Sequence, residues 1–204
     1  MTDVTITANG TNNIYSLYGQ NITYSTARTV YVGTNSGGSL VIGQVTGGEI
    51  KYVYRGTPVF DTSSLSGYTI TSAILKFTGS IDVSTTDFDI QARGFTESTL
   101  ASNSASFTGY GSTSFGSINT SNFSSTPDNM TITFNSSGLS YLNNNISENC
   151  CIMLVSSRDM SETSPSGDEA VRIRSGEYST SDYKPHLYLE YIESTNIYPQ
   201  IRIF

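Results

Sequence analysis

Apolar and polar residues alternate with a period of two in short runs along most of the chain. The run "TSAILKF" (71–77) places Ala, Leu and Phe on one side, and "TDFDIQARGF" (86–95) repeats the pattern with Phe, Ile and Ala. A period of two is that of a β-strand with one buried face. About ten such runs, separated by Gly-, Ser- and Asn-rich turns, are typical of sandwiches and jelly rolls. We therefore predict an all-β fold, an antiparallel two-sheet β-sandwich of jelly-roll type.

Helical signals are sparse. In "SSGLSYLNNN" (136–145), Leu139 and Leu142 are three residues apart behind a Ser-rich start, which predicts a short helical turn. We expect at most one or two such turns. Residues 98–128 are rich in Ser, Thr, Gly and Asn, with isolated aromatic residues, and their pattern predicts no regular structure. The domain organisation expected is one sandwich over residues 1–192 and a tail over 193–204.

The composition excludes several partners. Only 13% of the residues are charged and the net charge is −7, so neither nucleic acid nor an anionic membrane is an expected partner. No stretch approaches the roughly 20 apolar residues of a spanning helix. The N-terminus, "MTDVTITANG", lacks the basic and apolar regions of a secretory signal. A neutral polar ligand or another protein is the expected partner.

The two cysteines, Cys150 and Cys151, are adjacent in the apolar run "CCIMLV". Neighbouring residues on a strand point to opposite faces, so a disulfide between them would need a strained turn. We expect two thiols, one of them packed in the core.

Two stretches resemble a known family. The first stretch is "YRGTPVFDTSSLSGYTITSAILKF" (54–77), which lies in a matching region over 52–93. The second is the closing region 150–192, with its Ser-Arg-Asp turn and "KPHLYLEY". Both are similar to the DNRLRE domain family. These are β-sandwich modules related to carbohydrate-binding modules, found in secreted bacterial and archaeal proteins and in phage structural proteins. The six-letter motif that names the family is absent here. The resemblance marks framework positions of the sandwich and no catalytic residue. These positions are Arg55, Phe60, Asp61, Arg158, Asp159, Pro185, Leu187, Leu189 and Tyr191.

Asp61 lies at the end of a predicted strand, before the turn "TSSL". We expect its side-chain oxygen to cap that turn.

Catalytic patterns are weak. His186 is the single histidine and lies on a predicted closing strand, and no G-x-S-x-G nucleophile elbow occurs. Asp87 and Asp89 share one strand face about 7 Å apart, and a solvated face explains them as well as an acid pair does. We expect no enzyme activity, and therefore no catalytic residue and no cofactor.

Two ligand hypotheses remain. The loop "RDMSETSPSGDE" offers Asp159, Glu162, Asp168 and Glu169, whose oxygens suit a structural Ca²⁺, although a solvated acidic loop is the simpler reading and no metal site is predicted.

A glycan would stack on aromatic rings in polar loops. Tyr110, Tyr178 and Tyr183 are the candidates, and each alone is also explained by packing.

The last residues read "QIRIF", in which Ile201 and Ile203 flank an arginine before Phe204. We predict that these residues form a short strand. It either folds back as an edge strand or pairs with a neighbouring subunit by strand addition, and we favour the second.

Two classes of function follow. The first is a non-enzymatic structural protein of a virion, a phage tail-fibre, capsid-fibre or decoration subunit, assembled with other virion subunits as a homo-oligomer on the particle surface. The second is an extracellular carbohydrate-binding or adhesion module of a secreted protein. Fold alone does not separate these two classes.

Overall fold

The protein is a two-sheet β-sandwich. The structure is a computed structural model that describes residues 1–9, 15–35, 37–95, 103–146 and 149–194. Within these ranges every strand pair is antiparallel, and the predicted all-β fold class is confirmed. The strands are β1 (Thr2–Thr7), β2 (Tyr15–Asn21), β3 (Tyr31–Asn35), β4 (Ser39–Gly47), β5 (Ile50–Thr57), β6 (Val59–Asp61), β7 (Tyr68–Phe77), β8 (Gly79–Asp82), β9 (Asp89–Phe95), β10 (Tyr110–Asn119), β11 (Met130–Thr133), β12 (Asn149–Ser156), β13 (Glu169–Arg174) and β14 (His186–Glu193).

The two sheets differ in size. The small sheet has the order β1-β14-β7-β11, and the large sheet has the order β10-β9-β12-β5-β4-β13-β8. In the large sheet β2 also pairs with β5 and with β3, while β6 pairs with β12. Among the described strands, β3 and β8 each pair with a single neighbour, so no described strand covers their other edge.

Short helices connect the strands. They are α1 (Tyr24–Ala27), α2 (Ser104–Thr108), α3 (Ser136–Asn144) and α4 (Ser157–Met160), with 3₁₀ turns at Ser63–Leu65, Thr120–Asn122 and Ser181–Tyr183. This is more helix than the one or two turns expected. Local caps explain the difference, since the side chains of Asn103, Asn135 and Ser156 accept backbone N–H bonds at the starts of α2, α3 and α4. None of the helices in the described part of the chain combines the length and apolar character needed to cross a bilayer.

The main core lies between the sheets and is apolar. Residues 71–77 contribute as predicted, because Ala73, Leu75 and Phe77 are all buried there. Strands β9 and β12 supply the opposite wall. Other fully buried members are Leu40, Ile42, Phe60, Ile90, Met130, Ile132, Ile152, Leu154, Val171, Ile173, Leu187 and Leu189.

A second apolar cluster covers the other face of the large sheet. Cys150 belongs to the main core and Cys151 to this second cluster, as expected for neighbours on one strand. Both are free, buried thiols, and burial raises the pKa of Cys150 to about 12. The second cluster comprises Leu17, Tyr24, Ala27, Val53, Val59, Phe95, Phe107, Cys151, Met153 and Val155.

Residues 98–128, for which the sequence pattern predicts no regular structure, form a helix and a strand where the structure describes them. They contain α2 and the ten-residue strand β10, and their aromatic residues Phe107 and Phe115 are buried. At the other end, β14 continues to Glu193. The predicted partner contacts of the tail lie outside the described residues and stay predictions.

Candidate functional site

A buried pair of opposite charges lies beside the second apolar cluster. Arg55 is fully buried and Asp159 is 1% exposed. The Arg55 Nε donates to Asp159 Oδ2 at 2.8 Å, and its Nη2 donates to Oδ1 at 3.2 Å. Arg28 adds a third bond, from its Nε to Asp159 Oδ1 at 2.9 Å. This forked geometry satisfies a buried carboxylate with two cations.

The remaining donors of Arg55 are also used. Its Nη1 and Nη2 donate to the carbonyls of Phe107 (2.8 Å) and Arg28 (3.0 Å). The guanidinium carbon lies 4.1 Å from the ring centre of Phe107 and 4.6 Å from that of Tyr110. Arg55 therefore ties β5, α1, α2 and β10 together, and four of its five N–H groups are bonded within the protein.

A second polar group continues this arrangement. The Glu169 carboxylate accepts from Gln44 Nε2 at 2.7 Å and lies 2.8 Å from Arg158 Nε. Gln44 in turn accepts from the Tyr24 hydroxyl and donates to the Thr163 carbonyl at 2.8 Å. These side chains join β4, β13 and α1 through buried hydrogen bonds.

The acidic loop does not present its oxygens to a common point. Asp159 and Glu162 bond arginines, Glu162 through Arg28 Nη1 at 2.8 Å. Glu169 is held by Gln44 and Arg158. Within the described ranges no group of three or more acidic, His or Cys side chains is arranged to hold a metal. Three of the four carboxylates considered for Ca²⁺, those of Asp159, Glu162 and Glu169, are bonded to arginine or glutamine instead.

The other predicted framework residues have structural contacts. Phe60 lies fully buried in the main core. The prediction that Asp61 caps its turn is confirmed, because its Oδ1 accepts from the Ser63 N–H at 3.0 Å and from the Ser63 hydroxyl at 2.6 Å. These bonds lower the pKa of Asp61. Pro185 is buried, and its carbonyl accepts from the Ala8 N–H at 2.8 Å.

Each side chain considered for catalysis bonds another side chain of the protein. The His186 Nδ1 lies 2.8 Å from Asp128 Oδ1. Asp87 accepts from the Thr120 hydroxyl at 3.0 Å, and Asp89 accepts from Asn119 Nδ2 at 2.8 Å. Asp89 opens β9, whereas Asp87 precedes the strand. The two carboxylates thus hold the segment at 119–120 against β9.

Two of the three tyrosines considered for glycan stacking lie together. The rings of Tyr178 and Tyr183 are 5.7 Å apart at 52°, and the Arg174 guanidinium carbon lies 4.3 Å from the Tyr178 ring centre. The Arg174 Nε is buried without a hydrogen-bond partner in the described part of the chain. We call Arg174, Tyr178 and Tyr183 the tyrosine–arginine cluster.

Tyr110 lies apart from this cluster. It begins β10 rather than a loop, is half-buried, and faces Arg55. Its Gly- and Ser-rich surroundings suggested a loop, but β10 pairs with β9 through backbone bonds that do not depend on side-chain type.

A surface cleft went unrecognised in the sequence. It has a volume of about 440 Å³ and lies between β9, β10 and α3. Its lining is built from aromatic rings, glycines and hydroxyls drawn from three separate segments, which no local spacing reveals. The lining residues are Gly94, Phe95, Gly111, Ser112, Thr113, Phe115, Ser137, Ser140 and Tyr141.

Comparison with known proteins gives no assignment, since no protein-family model matches this chain and no curated protein matches it at a significant level.

Proposed function

We propose that this chain is a non-enzymatic structural subunit of a virus particle. It exposes its β-sandwich on the particle surface as part of a tail fibre, a capsid fibre or a decoration layer. This proposal follows the resemblance to DNRLRE modules of phage structural proteins, together with the low surface charge of the chain.

The observation that carries the proposal is the apolar character of two sheet edges that no described strand covers. On β8 and just after it, Ile81 and Val83 are 44% and 45% exposed, and on β3 Val32 is 47% exposed. Monomeric proteins protect such edges with charge, proline or a covering segment. Neighbouring copies of the chain would bury these side chains, which supports a homo-oligomeric subunit.

The interior supports a scaffold role. Arg55, Asp159, Glu169 and His186 are buried and bonded to other parts of the protein. Partnered charges of this kind connect separate segments of the fold and are not available to a ligand.

Immuno-electron microscopy tests this proposal. Antibodies against the chain should label purified particles of the source, and the chain should copurify with particle proteins through a density gradient. Recovery only in a particle-free secreted fraction would refute the particle role.

An assembly test compares two variants at equally exposed positions. Val83→Lys should reduce oligomers in light scattering, whereas Ile192→Lys, on β14 of the small sheet, should leave the oligomer in place; the two side chains are 45% and 46% exposed. Equal effects of both changes would remove the β8 edge from the proposed interface.

Glycan binding is the second candidate, favoured by the tyrosine–arginine cluster. Two rings beside a cation supply an apolar surface and hydrogen-bond donors, which are the elements of sugar recognition. A glycan array should then show binding that weakens in Tyr183→Ala and persists in Tyr188→Ala, a half-buried tyrosine of the small sheet. Binding that is equal in both variants would place the site away from the tyrosine–arginine cluster, and an array without any binding would remove the support for the extracellular module.

A further inference from the structure

We infer that the tail of one copy of this chain pairs with the β8 edge of a neighbouring copy, through Ile201, Arg202 and Ile203. This inference rests on the proposed homo-oligomeric subunit and names the segment that covers its β8 edge. The segment is part of residues 195–204, which lie outside the described part of the chain.

The β8 edge (79–83) has one apolar side and one acidic side. Ile81 and Val83 are 44% and 45% exposed. From Ile81 onward β8 pairs with β13 without a register shift, and Asp82 is exposed between the two apolar residues. Neighbouring residues of a strand point to opposite faces. Ile81 and Val83 therefore lie on one face of the strand and Asp82 lies on the other.

Asp82 has no basic partner in the described part of the chain. Its Oδ1 accepts from the Ser84 N–H at 2.8 Å and from the Ser84 hydroxyl, whereas its Oδ2 accepts no hydrogen bond from the described residues. None of the ion pairs between described residues includes this carboxylate. A basic side chain of another copy can therefore bond Oδ2 while the turn at Ser84 stays intact.

The tail repeats this pattern with the opposite charge. In "QIRIF" the two isoleucines are two residues apart and Arg202 lies between them. In an extended strand beside β8, the isoleucines face the apolar side of the edge and Arg202 faces the acidic side. Apolar pairs and pairs of opposite charge stabilise neighbouring strands, whereas like charges directly opposite destabilise them. In antiparallel pairing the pairs are Val83 with Ile201, Asp82 with Arg202 and Ile81 with Ile203.

The reach of the tail makes this pairing intermolecular. The described chain ends beside the start of β7, where the Ser194 N–H donates to the Gly67 carbonyl at 3.1 Å. Strand β7 has ten residues and runs about 30 Å to Phe77. Only Thr78 separates β7 from β8, and a hairpin that turned β8 back along β7 would need at least about two residues. The segment from Ser194 to Ile201 spans at most about 25 Å, so it does not reach β8 of its own copy.

The first test measures the self-association of the full chain by sedimentation at several concentrations. Arg202→Asp places two carboxylates opposite each other and should raise the Kd of self-association by at least about tenfold. Asp82→Arg should have the same effect, because it opposes two arginines. The double variant Asp82→Arg/Arg202→Asp restores opposite charges, and its Kd should return to within about threefold of the wild-type value.

Two controls separate this pair from net charge and from a damaged edge. Asp182→Arg makes the same charge change as Asp82→Arg at an exposed residue of a 3₁₀ turn, and its Kd should stay within about twofold of the wild-type value. Recovery in the double variant shows that Asp82→Arg still forms the edge, although this change removes the bonds to Ser84.

A cross-link identifies the two partners directly. When the single variants Asp82→Cys and Arg202→Cys are mixed and oxidised, a disulfide-linked dimer with one copy of each should form. The native thiols do not interfere, because both are buried. Asp3→Cys is the matched control, since Asp3 is an exposed acidic residue of β1, an edge strand of the small sheet. Mixed with Arg202→Cys, it should form no dimer.

Four results would overturn the inference. If Arg202→Asp associates as the wild type does while Val83→Lys does not, the β8 interface of the proposed function stands without the tail. Association that is lost in Val32→Lys and kept in Arg202→Asp would give the edge to β3 of a neighbouring copy. An intramolecular disulfide in Asp3→Cys/Arg202→Cys would assign the tail to β1 of its own copy. A wild-type chain that stays monomeric would refute the proposed oligomer together with this inference.

Discussion

The two faces of the large sheet are both buried, but they are built differently. The face toward the small sheet packs apolar side chains, such as Ile42 and Ile152, into the main core. The opposite face combines an apolar cluster around Phe107 with the buried pair of Arg55 and Asp159. A sheet layer covers the first face, whereas short helices cover the second. Helices of four or five residues bury little apolar area, and the ion pair supplies the missing connections between segments.

The largest expected effect comes from neutralising the buried carboxylate. Asp159→Asn keeps the shape of the side chain but leaves fully buried Arg55 without a counter-charge. Uncompensated buried charge costs about 3–5 kcal/mol in the free energy of unfolding, which urea denaturation would measure. The matched control is Asp182→Asn, an exposed residue of a 3₁₀ turn, with an expected change below about 0.5 kcal/mol. Equal effects would mean that the second face is held by apolar packing alone.

Cavity-forming changes compare the two apolar clusters directly. Leu75→Ala in the main core and Met153→Ala in the second cluster both remove fully buried side chains. Each should lower the free energy of unfolding by roughly 2–5 kcal/mol. Thermal and urea denaturation of the two variants check this. If Met153→Ala cost no more than a surface change, the second cluster would be a loose cover and not a core.

The buried thiols Cys150 and Cys151, one on each face of the large sheet, should make the free energy of unfolding depend on pH. Burial raises the pKa of Cys150 to about 12 and raises that of Cys151 as well. The folded state therefore keeps protons that the unfolded chain releases above a pKa of about 8.5. The contribution of the protonated thiols to the free energy of unfolding is fully present below that pH and is lost as the pH rises toward 12. Urea midpoints across this range should decrease, and the decrease should be smaller in Cys150→Ala/Cys151→Ala. A pH-independent midpoint would contradict burial of the thiols.

The smallest effect concerns a surface turn outside both cores. Asp61→Ala removes two bonds to Ser63 and should cost about 0.5–1 kcal/mol, as other side-chain caps do. Since these bonds lower the pKa of Asp61, the contribution is present at neutral pH and is lost as the pH falls through the folded pKa. The difference between wild type and variant should therefore vanish in acid. A constant difference at all pH values would assign the effect to packing.

The apolar core was predictable because its signal is local. Alternation within residues 71–77 identified Ala73, Leu75 and Phe77, and the adjacency of Cys150 and Cys151 placed the two thiols on opposite faces. In residues 136–145 the spacing of the two leucines predicted the helix. The position of Asp61 before a Ser-rich turn predicted that its side chain caps that turn.

The second face and the cleft were not predictable in this way. Asp159 was considered as a calcium ligand because it lies in an acidic loop. Its true partners, Arg55 and Arg28, could not be recognised from the sequence, because they lie 104 and 131 positions away in the chain. Strands β2 and β10 lack continuous apolar alternation, and β10 includes a register shift held by Arg93. Their pairing comes from backbone bonds and from distant side chains. The cleft likewise joins three segments that share no motif.

A double-mutant cycle on Arg55 and Asp159 tests most directly whether this pair organises the second face. Asp159→Leu should lower the free energy of unfolding by about 3–5 kcal/mol, because it leaves Arg55 buried without a counter-charge. Arg55→Met should lower it by less, because Arg28 still pairs with Asp159. The double variant places two apolar side chains together, while Arg28 keeps Glu162 as a partner. It should lose at least about 2 kcal/mol less than the sum of the single changes. Losses that add within about 0.5 kcal/mol would show that the two residues act independently, and would contradict this account.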